Sequence, residues 1–202
     1  AYREAIFKTV MSGDVVVDLG AGTGLLSIWA IQAGASKVYA IEKTSAIELA
    51  KEIAKANQCE NKIEFINKNS IDVILPEKAN VLISETLGSF GVDENTLQFT
   101  LDARDRFLED GGTMLPKSID IFVAPVNDQK AYHKLDFWRQ IEDVDFSPAF
   151  ETFAKKIMVE AVDNEGLLSE KTCLAKIDLT TLTNSEFSVR QYIPIIKPGW
   201  IH

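Results

Sequence analysis

The chain has 202 residues, and its 21 basic and 30 acidic side chains give a net charge of −9, which disfavours broad attachment to nucleic acid or to an anionic membrane. Apolar residues make up 46% and charged residues 25%, ordinary values for a globular protein, and no run approaches the ~18 apolar residues of a membrane span. Cys59 and Cys173 stand far apart with no metal-ligand spacing around them; this argues against a disulfide scaffold or a metal site and for a reducing setting, the cytoplasm or another intracellular compartment such as a eukaryotic nucleus.

Val15 to Leu19 reads as a short apolar strand that ends in Asp18-Leu19-Gly20-Ala21-Gly22-Thr23-Gly24, and Leu25 to Ala33 as a helix stopped by Gly34. Lys37 to Ile41 is a second strand, closed by Glu42, and Ser45 to Asn57 the next helix. Lys62 to Ile66 and Val81 to Ser84 are further strands, separated by a loop or short helix around Asn69 to Pro76. Thr96 to Phe107 is a predicted helix, followed by a Glu109-Asp110-Gly111-Gly112 turn. Strands alternating with helices at this spacing imply an α/β fold, a Rossmann-like, doubly wound parallel sheet covered on both faces.

After Pro116 the pattern changes. Ile119 to Pro125 reads as a strand and Asp128 to Trp138 as a helix, while Lys171 to Leu182 and Glu186 to Ile196 are strand-like runs with no helix between them. The expected organisation is a cofactor domain over 1–117 and a mostly β, barrel-like substrate domain over 118–202 whose closing elements are missing.

Asp18 with Gly20, Gly22 and Gly24 has a mechanical reading. The chain must turn sharply from strand to helix, glycine lets backbone approach a ligand, and the helix N-terminus offers free N–H groups. Glu42, ending the next strand, can accept hydrogen bonds from two ribose hydroxyls. A dinucleotide fingerprint is spaced Gly-x-Gly-x-x-Gly, whereas this chain carries Gly-x-Gly-x-Gly behind an acid. S-adenosylmethionine has a ribose, no phosphate, and cationic amino and sulfonium groups that suit an acidic neighbourhood. A turn holding another nucleotide, or none, is the alternative.

The stretch Ser84-Glu85-Thr86-Leu87-Gly88-Ser89-Phe90 through Glu94 follows the apolar run ending at Ser84, where a parallel sheet presents its C-terminal edge. Two loop glutamates taken alone read first as a solvated turn. Beside a methyl-donor motif they suit a cation: a guanidinium stays charged, its nitrogens are poor nucleophiles, and paired carboxylates can clamp its planar fork.

At these residues the chain resembles the protein arginine methyltransferase family, over nearly its whole length. Residues 16–27 are similar to the family's first motif, Lys37 to Glu42 to its second strand, and Ser84 to Glu94 to its double-glutamate loop. Leu87-Gly88-Ser89-Phe90 is closer to the symmetric-dimethylating branch, whereas Asp136 to Ser147 looks more like the asymmetric enzymes. The resemblance implies that Asp18, Gly20, Gly22 and Gly24 line the methyl donor, Glu42 binds ribose, Asn69 and Ser70 lie near adenine, and Glu85 and Glu94 grip a substrate arginine. Asn69, Ser70 and Ile71 lack the acid often found in the adenine segment. It further implies a protein or peptide substrate and a homodimer. The family's cofactor-closing segment would precede Ala1, and its Thr-His-Trp loop would follow His202. Two other functions stay open: methylation of a small basic or guanidino metabolite, and a non-catalytic binding or assembly subunit with a methyltransferase fold. Phe90 is read either as a contact to the substrate stem or as core, and Asp102, Arg104 and Asp105 as helix-surface ion pairs of small energetic value.

Overall fold

A computed structural model describes residues 1–88, 90–93, 95–156 and 162–200. It divides into two compact units, one formed by Ala1–Asp120 with Lys176–Ser188 and the other by Ile121–Ala175 with Val189–His202.

The first unit opens with a helix that the sequence reading missed, α1 (Tyr2–Thr9), which packs on α2 through the fully buried Ile6. Strand β1 (Val15–Leu19) leads through the glycine loop into α2 (Leu25–Ala33), and β2 (Lys37–Ile41) into α3 (Ala46–Ala56). In α3 the buried residues Ile47, Ala50 and Ala54 fall at helical spacing, so one stripe faces the sheet. Strand β3 (Ile63–Ile66) is followed by a single 3-10 turn at Ser70–Asp72. Then come β4 (Ala79–Ser84), α4 (Thr96–Phe107) and β5 (Leu108–Leu115).

These five strands form a parallel sheet in the order β3-β2-β1-β4-β5. In the three central strands Val16, Val17, Val38, Ala40, Val81 and Ile83 are all at most 2% exposed, which is why β1, β2 and β4 are nearly continuous apolar runs, whereas β3 and β5 at the edges are more exposed. The Glu109 to Gly112 segment, expected as a turn, lies within β5. Pairing with β4 jumps from Ala79 opposite Leu108 to Val81 opposite Thr113, so the extra residues bulge and the ladder resumes beyond them.

Beyond Pro116, β6 (Ser118–Val123) pairs with β9 (Thr172–Asp178) in a two-stranded sheet. Between them lie α5 (Gln129–Asp136), a short antiparallel pair β7 (Gln140–Ile141) and β8 (Val144–Asp145), and α6 (Ser147–Ala154). Asp128 caps α5 by accepting the N–H groups of Lys130 and Ala131, both at 3.0 Å. Trp138 packs on Phe153 with ring centroids 4.8 Å apart, and the Arg139 guanidinium sits 3.7 Å from the Phe150 ring centre. The sequence-predicted strand Glu186 to Ile196 does not form: the segment joins no ladder among the described residues, although the Ile196 N–H donates to Leu168 O at 2.9 Å. Its composition favours a strand, but a strand needs a neighbour to pair with, and composition does not supply one.

Candidate functional site

The sheet order places β1 and β4 side by side at the centre, with the chain running outward to β2 and β3 on one side and to β5 on the other. Connections leave β1 and β4 in opposite directions there, opening a crevice at the carboxyl ends of the strands. A cavity of about 270 Å³ lies at those ends. Its wall takes Gly20 from the end of β1, Glu42 from the end of β2, Asn69 and Ser70 beyond β3, and Glu85 and Thr86 beyond β4. Four separate stretches named from the sequence therefore converge on one space.

The glycine loop is fixed from several sides. Gly20 has φ +74°, and a Cβ there would meet Thr86 Cγ2 at 2.6 Å, so both backbone sign and space demand glycine. Gly24, at φ +77°, is the N-cap of α2, and a Cβ there would lie 3.2 Å from the Ala50 Cβ, where α2 and α3 approach. Gly22 donates its N–H to Glu42 Oε2 at 3.0 Å, while Thr44 N–H donates to Oε1 at 2.7 Å. Burial pushes the Glu42 carboxyl up, but these amides, with the nearby Lys43 charge, outweigh it and hold the group below its ordinary range. Glu42 is thus an ionised acceptor held in one orientation on the cavity wall. Thr44 engages the group through its side chain as well as its N–H, so the Gly22-bound Oε2 is the oxygen with the clearer remaining acceptor capacity.

Asp18 occupies a different place. It is fully buried in β1 and is not among the residues lining the cavity. Its Oδ2 accepts the Ser27 hydroxyl at 2.6 Å, while Oδ1 is buried with no hydrogen-bond partner among the described residues. Burial pushes its carboxyl up to about 6, against the Ser27 hydrogen bonds that favour the ionised form and with the Glu42 charge adding to the rise. A buried acid with an unused oxygen, just before Leu19 and Gly20 of the cavity wall in the chain, is a source of negative potential near a ligand-sized space.

The loop after β4 is tied at both ends. Ser84 Oγ and Thr86 Oγ1 lie 3.0 Å apart, the Thr96 hydroxyl donates to Thr86 O, and Phe90 N–H donates to Asp93 Oδ1 at 2.9 Å. A Cβ at Gly88, whose φ is +60°, would run into that same Asp93 carboxylate. Glu85 is exposed on the cavity wall, and Phe90 is 47% exposed, which removes the core reading of Phe90. Glu94 lies outside the described residues.

Several cavity residues were not singled out from the sequence. Lys43 and Lys68 flank Glu42 and Asn69, while Thr96 and Phe99, one helical turn apart, present the first turn of α4 to the cavity. That helix was legible, but which of its faces met the site was not. Tyr2 donates its hydroxyl to Ser84 O at 2.8 Å, and burial, then the charges of Glu85 and Asp18, push its phenol up to about 12. The surface-pair reading of α4 also needs correction. Arg104 does pair with Asp105 at 2.7 Å, but its Nη1 donates to Leu179 O at 2.9 Å and Leu182 O at 2.7 Å. Asp102 holds Arg106, which reaches the backbone after β3. These arginines fasten main chain, which a periodic helix pattern does not reveal.

With this geometry established, comparison with known proteins is specific. Residues 1–114 match the TRM5/TYW2 methyltransferase domain, and residues 117–202 match the arginine methyltransferase oligomerization subdomain. Protein arginine N-methyltransferase 6 of Danio rerio is 41% identical over 193 residues, covering 90% of this chain and 55% of that protein. The Xenopus tropicalis protein of the same name is 36% identical, covering 92% and 58%. The chain thus spans a little over half the length of these relatives. Among solved structures, the Trypanosoma brucei PRMT1 enzyme-prozyme heterotetrameric complex with AdoHcy matches with a TM-score of 0.83 at 28% identity, over 91% of this chain and 59% of that one. Arabidopsis thaliana protein arginine methyltransferase 10 matches with a TM-score of 0.75 at 30% identity, over 92% and 60%. The first family model describes a methyltransferase domain of another name. The second is particular to arginine methyltransferases, and the relatives, which align across both regions, agree with it. With a Rossmann-like α/β domain followed by a smaller subdomain of the oligomerization type, the chain belongs to the protein arginine N-methyltransferase family.

Proposed function

We propose that the cavity binds S-adenosylmethionine and that the protein transfers its methyl group to a guanidino nitrogen of arginine in a protein or peptide. The observation that carries this reading is that Glu85 stands on the wall of the same cavity as Gly20, Glu42, Asn69 and Ser70. The residues present fit the cofactor. Glu42 is an ionised acceptor on the cavity wall that can receive ribose hydroxyls, and Asn69 and Ser70 line the side expected for adenine. Gly20 leaves the backbone open to close approach, and Gly22 and Gly24 shape the loop behind it. The unpartnered Asp18 oxygen favours the cofactor's cationic end by charge, across the loop, without lining the cavity. AdoHcy, the product left when that cofactor has given up its methyl group, is named with the Trypanosoma brucei structure.

When bound, the cofactor supplies an electrophilic sulfonium methyl. The protein's part is positional and electrostatic. Glu85 and Glu94 clamp the guanidinium with charge-assisted hydrogen bonds, hold one nitrogen in line for displacement and draw positive charge away from it. Glu94 takes the stronger polarising role and Glu85 the clamping role, and one of the two carboxylates accepts the proton released as the new N–C bond forms. No covalent enzyme intermediate is needed.

We assign residues 1–117 to the cofactor domain and 118–202 to part of a barrel-like substrate domain, with a homodimer as the assembly; the match of 117–202 to an oligomerization subdomain supports the boundary and the assembly. The test is transfer of labelled methyl from S-adenosylmethionine to a panel of proteins, arginine-rich peptides and free guanidino compounds, with the modified residue identified by mass spectrometry. Label on arginine within peptides is the expected result. Label on free guanidino compounds alone would redirect the assignment to a metabolite, and cofactor binding without transfer to any of them would favour a non-catalytic subunit.

A further inference from the structure

Arg106 stands near the end of α4, away from the cavity wall, yet its guanidinium is committed to the segment that forms that wall. Its Nη2 donates to Ser70 O at 2.7 Å and its Nη1 to Val73 O at 2.6 Å. Asp102, one turn earlier on α4, receives Nε at 2.9 Å and Nη2 at 2.5 Å. The planar fork is held in one orientation by this bidentate pair and by the buried Phe107 ring, whose centre lies 4.5 Å from Arg106 Cζ. Ser70 O also accepts Val73 N–H at 3.1 Å, so the carbonyls at both ends of the 3-10 turn Ser70–Asp72 are drawn to one cation. The first residue of that turn, Ser70, lines the cavity together with Asn69, and the first turn of the same helix contributes Thr96 and Phe99. One helix therefore supplies part of the wall directly and braces another part through Arg106.

We infer that Arg106, oriented by Asp102, is a positioning residue that sets the adenine side of the cofactor cavity by fixing the Ser70 to Val73 backbone; this rests on the cavity being the S-adenosylmethionine site. The side chain types matter. A guanidinium presents rigidly spaced donors to two carbonyls and a carboxylate at once, whereas a lysine ammonium is a point charge that cannot span the same set. Asn69 and Ser70 bring no acid to the base, so the placement of this backbone carries more of the recognition than a strong side-chain acceptor would leave to it.

The test measures S-adenosylmethionine dissociation constants by calorimetry and the KM for an arginine-rich peptide in the full chain and in Arg106→Leu, Arg106→Lys and Asp102→Asn. Loss of these charge-assisted bonds is expected to weaken cofactor binding about tenfold in Arg106→Leu, with peptide KM changed less than about twofold. Arg106→Lys should fall between the two. Asp102→Asn keeps the cation but loosens its aim, and should weaken cofactor binding about threefold, which gives a reading if Arg106→Leu does not fold. Unchanged cofactor binding in a folded Arg106→Leu or in Asp102→Asn would overturn the inference, as would equal losses for cofactor and peptide, the mark of a merely structural role. If the unaltered chain binds no S-adenosylmethionine, the functional reading fails first, a result distinguishable from both.

Discussion

The helices of the two units bury themselves differently. α3 sinks Ile47, Ala50 and Ala54 and α4 sinks six residues, including Leu97, Leu101 and Phe107, into the first unit. Neither α5 nor α6 has a buried residue, and Phe137, Val144 and Tyr192 are more than half exposed. The parallel sheet brings its own partners within a short stretch of chain, each strand meeting the next after one helix. The second unit's apolar side chains are of the same kinds but lack equivalent cover among its described residues. Stability and the candidate chemistry therefore concentrate in the first unit, and substitutions should have unequal effects.

The largest effect is expected at the double-glutamate loop. Glu94→Gln keeps the shape but removes the charge, so turnover should fall on the order of 100-fold while S-adenosylmethionine binding is retained. Steady-state rates beside calorimetric binding would show this, and undiminished turnover would break the clamp mechanism. Next is the core of the sheet. Ile83 is fully buried, and Ile83→Ala should cost about 3 kcal/mol in denaturant unfolding, through lost transfer energy and the cavity left behind.

A smaller, pH-dependent effect is expected at Asp18. Its carboxyl is raised from 3.8 to about 6 in the folded protein, so between these values the native state binds more protons than the unfolded one. Stability contributed by this group accordingly falls as pH rises from about 4 to 6, and the cost is fully present above that window. Asp18→Asn should remove this cost and stabilise the protein by about 3 kcal/mol at neutral pH, with the difference vanishing near pH 4. Unfolding curves across that range check the sign, and a constant difference would disprove the assignment. The smallest effect belongs to the second unit. Tyr192, 85% exposed, should tolerate Tyr192→Ser within about 0.5 kcal/mol in the same unfolding assay, and a larger loss would show that the residue is covered in solution.

Much of the first unit was legible because its signals are local. Leu25–Ala33, Lys37–Ile41 and Thr96–Phe107 have the bounds that apolar runs and glycine stops predict. The candidate site was legible as four separate stretches, since each sits just after a strand. Failures came where a distant partner decides the outcome. Glu109 to Gly112 has turn residues, yet β4 captures it within a bulged ladder. Glu186 to Ile196 has strand residues and joins no ladder among the described residues. Phe90 could be settled only by its exposure, and α1 was missed because it is short and its one fully buried residue, Ile6, leaves little periodicity to read.

By itself, the amino-acid sequence determined the alternation of strand and helix, the glycine loop behind Asp18, and the acid pair at positions 85 and 94, because these depend on residue type and short-range spacing. Tertiary structure decided that Asp18 is buried and outside the cavity lining, that Gly22 and Thr44 orient Glu42, and that Arg106 holds the Ser70 turn. Each of these depends on which groups the fold brings within hydrogen-bond reach and removes from water, and none of the three follows from the order of residues along the chain.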